Sequence, residues 1–325
     1  MQVYLGVDVG SVSTNFAVLS TTGELLYSLY IRTNGNPIKA VQEGLREFKK
    51  ELPGNYVVIG AGTTGSARQL SGLLVGADAV KNEITAHAVA AMHVCPGVQT
   101  VLEIGGQDSK IIIIRDGIVV DFAMNTVCAA GTGSFLDHQA ERLEIPIESF
   151  GDLALHAKTP VRIAGRCGVF AESDMIHKQQ TGHQIEDIIA GLCQALVRNY
   201  LNNVGKGKEI LAPVVFQGGV AANKGIKAAF AKILGLEVYV PSQHAVMGAI
   251  GAALLAKIAT QETGRSRFKG FGVSDLNYYA KSFECTGCAN LCEVVQIFVD
   301  KEILARWGDR CGKWSLGTNS GIAAS

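Results

Sequence analysis

The sequence predicts an α/β protein of two facing lobes, each built on one copy of a βββαβ unit, with a cysteine-rich C-terminal extension. Three observations carry that expectation. Over residues 1–61 the hydrophobic pattern runs strand, strand, strand, helix, strand, and the same grammar restarts at residue 98. Each copy opens on a strand that ends in a polar, glycine-containing turn carrying an aspartate. Half of the eight cysteines fall within residues 263–325, beyond a polar and basic stretch.

In the first copy, 3–9 is an apolar run broken at Gly10-Ser11, and 15–20 returns as a second strand. Thr21-Thr22-Gly23 turns the chain into a third strand, 25–32. Ile38, Val41, Leu45 and Phe48 recur at three- and four-residue spacing, which predicts a helix over 37–52. Residues 56–61 close the unit as a buried strand. In the second copy, strand 98–104 leads into Gly105-Gly106-Gln107-Asp108, and strands 109–115 and 118–124 flank the hairpin turn Asp116-Gly117. Helical stretches follow, and 212–217 supplies the later strand. Small residues over 247–256 predict a late helix that packs closely back on the first lobe. The expected boundaries are 1–95 plus about 243–262 for the first lobe, 96–242 for the second and 263–325 for the extension. Within the extension 263–269 reads as a linker and 317–325 as a frayed terminus.

At roughly 150 residues per domain, 325 residues suggest two domains. The 29 basic and 29 acidic residues cancel, which leaves no electrostatic footprint for nucleic acid or an anionic membrane. The longest apolar runs, such as 111–114 and 118–120, are too short to cross a bilayer. Met1 leads directly into a strand ending at Asp8, so no signal peptide is expected. A soluble, cytoplasmic protein is therefore expected, with no nucleic-acid or membrane partner. A reducing compartment turns the cysteines toward metal or redox roles.

Three turns could cradle phosphates. In Asp8-Val9-Gly10-Ser11-Val12-Ser13-Thr14, free backbone N–H groups and hydroxyls surround an aspartate able to hold Mg²⁺ through water. Gly105-Gly106-Gln107-Asp108-Ser109 stands at the equivalent point of the second copy. Gln217-Gly218-Gly219-Val220-Ala221-Ala222-Asn223 passes from strand to helix, where glycines admit a nucleotide close to the backbone. Any one of these is equally an ordinary glycine hairpin. Neither a P-loop nor a dinucleotide fingerprint occurs.

Taken together, the segments 8–14, 103–109 and 216–223 resemble the three nucleotide-binding turns of the ASKHA superfamily. That superfamily comprises acetate and sugar kinases, heat-shock chaperones and actin, all on a duplicated ribonuclease H-like core. The resemblance implies an actin-like ATPase that holds ATP or ADP with Mg²⁺ in its cleft. It implies catalytic roles for Asp8, Gln107 and Asp108, with Asp8 at the Mg²⁺. Nucleotide contacts are implied for Gly10, Ser11, Ser13, Thr14, Gly105, Gly106, Gly218, Gly219, Ala222 and Asn223. Glu83 either faces this cleft or is a solvent-facing residue at a helix start.

Cys128, in Cys128-Ala129-Ala130-Gly131-Thr132-Gly133, and Cys167, in Cys167-Gly168-Val169-Phe170-Ala171-Glu172-Ser173, each precede a predicted helix, 133–143 and 171–177. A helix start favours a thiolate and suits an anionic iron–sulfur cluster. The alternative is a small buried residue, which accounts better for Cys95 and Cys193. These two segments resemble the cluster-binding motifs of the 2-hydroxyacyl-CoA dehydratase activators. That family includes the ATPase subunits of benzoyl-CoA reductases and of double-cubane-cluster reductases, and the similarity runs over about residues 1–260. It implies a homodimer whose single [4Fe–4S] cluster is bridged by Cys128 and Cys167 of both copies, with Gly131, Thr132 and Gly133 in the first motif. It also implies ATP-gated delivery of one electron, in anaerobic metabolism, from a ferredoxin or flavodoxin to a partner iron–sulfur dehydratase or reductase. Two other classes stand beside it. A small-metabolite kinase of the N-acetylhexosamine type needs a general base and a sugar pocket and has no use for paired cysteines. A chaperone-like or actin-like interaction protein needs a peptide-binding or polymerising surface.

The extension carries Cys285-x2-Cys288-x3-Cys292 and, further on, Cys311. Four cysteines at tight spacing are a metal-site signal. A second [4Fe–4S] cluster, Zn²⁺ and unmetallated thiols all remain open, and the segment looks like the one following the ATPase modules of large fused activators. His138, His156, His177 and His183 are given no role.

Overall fold

The computed structural model describes residues 1–51, 56–125 and 127–315. The first lobe begins with strands β1 (Gln2–Val9), β2 (Ser13–Ser20) and β3 (Leu25–Arg32), helix α1 (Pro37–Glu51) and strand β4 (Val57–Thr64). Helix α2 (Arg68–Val75), strand β5 (Ala79–Val80) and helix α3 (Glu83–Val94) follow. The second lobe holds β6 (Thr100–Ile104), β7 (Ser109–Arg115), β8 (Ile118–Asn125), α4 (Gly133–Arg142), α5 (Ile147–Leu155), α6 (Gly168–Gln180) and α7 (Ile185–Asn203). It closes with β9 (Val214–Gln217), α8 (Lys224–Leu234) and β10 (Val238–Tyr239), and α9 (Met247–Thr263) then returns to the first lobe. The tail contributes β11 (Tyr278–Glu284), β12 (Glu293–Val299) and β13 (Glu302–Trp307).

The duplication is visible in the strand orders, β3-β2-β1-β4-β5 and β10-β9-β6-β7-β8. In each sheet three antiparallel strands are extended by two parallel ones. The central strands β1 and β6 are buried along most of their length because both faces are covered. Ile111 and Ile113 of β7 face the second-lobe core, whereas Ile112 and Ile114 face a middle core. That middle core joins the lobes, with Tyr4 and Leu19 of the first sheet, Val101 and Val215 of the second, and the small residues of α3 and α9 between them. The contact there is backbone to backbone. A Cβ on Gly6 of β1 would stand 1.8 Å from Ala249 O of α9, and one on Gly251 of α9 would stand 1.9 Å from Ala86 O of α3.

Strands β3 and β7 match their expected spans. Helix α9 runs past residue 256 to Thr263 because nothing stops it before Gly264, whose φ of 69° provides the left-handed cap. Helix α6 starts at Gly168, three residues earlier than expected, directly after Cys167. The end of the first helix at residue 52 and the terminus 317–325 lie outside the described residues.

The stretch read as a linker is strapped to the first lobe. Asp78 receives Ala61 N (2.9 Å), Ser266 Oγ (2.7 Å) and Arg267 N (2.6 Å), so the carboxylate ties 266–267 beside β4. Beyond it, Gln42 and Arg46 of α1 both donate to Ser274 O. Val273, Tyr278 and Ile297 enter the same buried cluster as Val3, Leu5, Val7 and Phe48. The extension thus shares the first lobe's core.

Candidate nucleotide cleft and paired cysteines

The turn after β1 and the turn after β6 meet face to face, since a Cβ on Gly106 would lie 2.7 Å from Val12 Cγ2. Between them is a cavity of about 120 Å³, walled by Asp8, Gly10, Ser11, Ser13, Gln107 and Asp108 among others. Glu83 also reaches this wall, from the first turn of α3, and lies 3.7 Å from Arg68 Nη1. A second cavity, of about 370 Å³, shares Gly105, Gly106 and Gly219 with the first and adds Gly133, Ala222 and Asn223. Gly218 lines the first. Thr14, Gly131 and Thr132 line neither. The Thr14 hydroxyl pairs with Thr33 Oγ1 at 3.0 Å, Thr132 Oγ1 donates to Ala129 O at 2.8 Å, and Gly131 lies against Asn199.

Asp8 sits in a glycine-lined niche. A Cβ on Gly65 would come within 2.6 Å of its Oδ1, and one on Gly248 within 2.1 Å of its Oδ2. Burial pushes the Asp8 carboxyl up to about 7, against the pull of Lys110. Glu103 is raised to about 7 for the same reason. Lys110 Nζ lies 3.0 Å from Glu103 Oε2 and 2.8 Å from Asp108 Oδ2. Burial opposes its charge, but the two carboxylates outweigh burial and hold the ammonium above the ordinary lysine range. The sequence reading passed over this lysine. Its signal was a charge inside the apolar strand Ser109–Arg115, because lysine is seldom fully buried without a partner.

His87 of α3 was missed as well. Its Nδ1 is 2.8 Å from Gln217 Nε2, across the two lobes, and burial pushes its pKa down to about 3. The ring is therefore neutral, with Nδ1 accepting from the amide.

The cleft fits a magnesium nucleotide on its own chemistry. Asn15 lines it with a buried Oδ1 that has no protein partner. Gly218, at φ 92°, presents bare backbone where a side chain would strike Ile104 O at 2.4 Å.

The two motif cysteines sit at helix starts. Cys128 caps the short 3₁₀ turn Ala129–Gly131, and Cys167 caps α6. Asn125 clamps the first, accepting from Cys128 N at 3.0 Å and donating to Cys128 O at 2.8 Å. A Cβ on Gly168 would stand 3.8 Å from Ala130 Cβ, so the two segments adjoin. Around them Val127, Val169 and Phe170 are 95%, 71% and 67% exposed. Cys193 is core, its thiol pushed up to about 12 by burial, and Cys95 ends α3.

Among the described residues no three His, Cys, Asp or Glu side chains converge as a metal-ligand group. In the tail, Cys285, Cys288, Cys292 and Cys311 are free thiols. Cys285 ends the β11–β12 ladder, with its N–H on Cys292 O at 2.8 Å, and its buried Sγ accepts from Trp314 Nε1 at 3.2 Å. Cys288 and Cys311 are exposed.

Two duplicated sheets closing on a phosphate-sized cleft define an actin-like ATPase. The chain belongs to the BadF/BadG/BcrA/BcrD ATPase family, whose model matches residues 5–256. It is 36% identical over 266 residues to the (R)-2-hydroxyglutaryl-CoA dehydratase activating ATPase of Acidaminococcus fermentans, covering 79% of this chain and 98% of that one. The crystal structure of component A of the same dehydratase matches with a TM-score of 0.72 at 32% identity, over 80% of this chain and all (100%) of that one. The activator of the 2-hydroxyisocaproyl-CoA dehydratase from Clostridium difficile, with bound ADPNP, matches with a TM-score of 0.71 at 30% identity, over 81% and 97% of the two chains. A xylulose kinase shares the fold alone. No helix among the described residues is long and apolar enough to cross a membrane.

Proposed function

We propose that this protein is an ATP-dependent activator, a homodimer that feeds one electron at a time to a partner dehydratase or reductase. The observation that carries the reading is that the segments following Cys128 and Cys167 adjoin beside the exposed Val127, Val169 and Phe170, with the Cys128 segment one hydrogen-bonded step from the second phosphate turn. Gly133 N donates to Gly105 O at 2.9 Å, and Ser134 N to Gly106 O at 2.8 Å. The helix that follows Cys128 therefore hangs on the turn that would hold phosphate.

In this reading Asp8 holds Mg²⁺ through water, Gln107 and Asp108 orient the attacking water, and Gly10, Ser11, Ser13, Gly105 and Gly106 cradle the phosphates. Gly218, Gly219, Ala222 and Asn223 flank the nucleoside. Two thiols per chain are half of a four-thiolate set, so the fit requires a second copy to bring its own Cys128 and Cys167 against these. The exposed Val127, Val169 and Phe170 supply an apolar rim for that contact. A [4Fe–4S] cluster bound by those four thiolates would supply a one-electron carrier at low potential. A cytoplasmic location, a ferredoxin or flavodoxin donor and an iron–sulfur acceptor belong to the same proposal. The tail thiols receive no step in it.

The test is iron quantification and EPR of anaerobically purified protein, with and without Mg-ATP. About four iron atoms per dimer, with a reduced-state signal that changes with nucleotide, is the expected result. Iron-free protein that still binds ATP would overturn the electron-transfer reading.

A further inference from the structure

We infer that one turn of α7, Arg198-Asn199-Tyr200, transmits the state of the nucleotide cleft to the Cys167 loop, with Tyr200 and Asn199 as positioning residues. The inference rests on the nucleotide-cleft reading above and deepens it. Tyr200 is fully buried, and its Oη donates to Lys110 O at 2.6 Å. Lys110 is the residue whose ammonium bridges Glu103 and Asp108 at the cleft. The next residue back, Asn199, is equally buried and donates from Nδ2 to Arg166 O at 3.2 Å, one residue before Cys167. Asn203 Nδ2 holds the Asn199 Oδ1 at 2.9 Å, and that oxygen occupies the space beside Gly131, 2.8 Å from where a Cβ would stand. Arg198 Nη2 donates to Ile163 O at 2.8 Å on the same loop.

Successive helix residues project about 100° apart, so three neighbours can serve three directions from one rigid segment. Tyr200 grips β7 through its main chain, while Arg198 and Asn199 grip the main chain of the cysteine loop. Only one helix turn and the side chains of Tyr200, Asn199 and Arg198 stand between the strand that carries Lys110 and the loop that carries Cys167. When anionic phosphate and Mg²⁺ enter among Asp8, Glu103 and Asp108, the charge balance around Lys110 changes, and the end of β7 is where that change is felt. A buried donor whose acceptor moved away would be left unsatisfied, so the loop follows the strand. Cys128 has its own tie to the cleft, through Gly133 and Ser134. The two cysteines are thus driven from the same phosphate turn along separate routes.

Peptide-resolved hydrogen exchange on the anaerobically purified full chain, in Mg-ADP and in a non-hydrolysable Mg-ATP analogue, tests this. In the wild type the exchange of 161–170 and of 127–136 should both change on the order of fivefold between the two nucleotides. Tyr200→Phe should bind both nucleotides and keep the 127–136 response while the 161–170 response falls toward none. Asn199→Ala should also lose the 161–170 response, and it carries the test if Tyr200→Phe does not fold; its 127–136 response is not the control, because Asn199 Oδ1 also lies beside Gly131. An unchanged 161–170 response in these variants overturns the inference. So does a wild type in which residues 8–14 and 105–110 respond and 161–170 does not. A wild type that binds neither nucleotide removes the cleft reading itself.

Discussion

Gln217 Nε2 donates to His87 Nδ1 at 2.8 Å, a fully buried hydrogen bond from the second sheet to α3 of the first lobe. It spans the wall of the nucleotide cleft at the seam of the two lobes, so any change in lobe angle must be accommodated at this pair. Gln217 Oε1 is buried without a partner, which makes the amide one-sided and the contact sensitive to the charge on the ring.

That sensitivity fixes a pH dependence. The folded His87 titrates near 3 and the unfolded one near 6.5, so the unfolded state binds the extra proton between those values. Stability therefore falls as pH drops below about 6.5, by up to about 1.4 kcal/mol per unit from this group. Asp8 and Glu103, raised to about 7, contribute with the opposite sign between about 4 and 7. The clean observable is the difference between wild type and His87→Gln in urea unfolding from pH 6.5 to 5. Relative to wild type the variant should gain stability on acidification, by up to about 1.4 kcal/mol per pH unit, and parallel curves would refute the assignment.

The niche around Asp8 predicts that two different lesions have one effect. Asp8→Asn removes the charge, and Gly248→Ala drives a methyl to within 2.1 Å of Oδ2. Both should weaken Mg-nucleotide binding by tenfold or more, about 1.4 kcal/mol, in calorimetric titration. Magnesium-independent binding should suffer less in Asp8→Asn.

Phe170 is two-thirds exposed three residues after Cys167, on the face assigned to the second copy. Phe170→Asp should shift sedimentation toward monomer and lower the iron content while leaving nucleotide affinity within about twofold. A dimer that persists with full iron would move the interface elsewhere.

The tail should melt with the first lobe. Ile297, on the central strand of the tail sheet, is fully buried in the cluster that holds Val3 and Phe48. Ile297→Ala should cost about 2–5 kcal/mol and lower the melting temperature of the lobe itself. A separate low-temperature transition, with the lobe unaffected, would show that the tail folds alone.

Much of this molecule was legible in local pattern. Periodicity placed β3 and β7 residue for residue, the repeated βββαβ order gave the duplicated sheets, and the glycine turns fell at the ends of β1 and β6. Of helix α3 only a start at Glu83 was legible; its span was not, because Ala86, Ala88, Ala90 and Ala91 leave it apolar on several faces and erase the periodicity. The start of α6 was missed because Val169 and Phe170 are exposed there, where a helix on a closed surface would show polar residues.

The sequence by itself determined the succession of strands and helix in each copy, the three turns and the two helix-start cysteines, since each depends on residues within a few positions of one another. Tertiary structure decided the rest. The His87–Gln217 bond across 130 positions and the Tyr200–Lys110 contact across 90 exist only because folding brings distant segments together, and the Glu103–Lys110–Asp108 bridge, close in sequence, is buried only once the β6–β7 hairpin is covered. The tail reads as a separate metal-binding piece by spacing alone. Docked, its apolar residues complete the first lobe's core, because burying Val273, Tyr278 and Ile297 there removes more apolar surface from water than a three-stranded sheet can hide by itself.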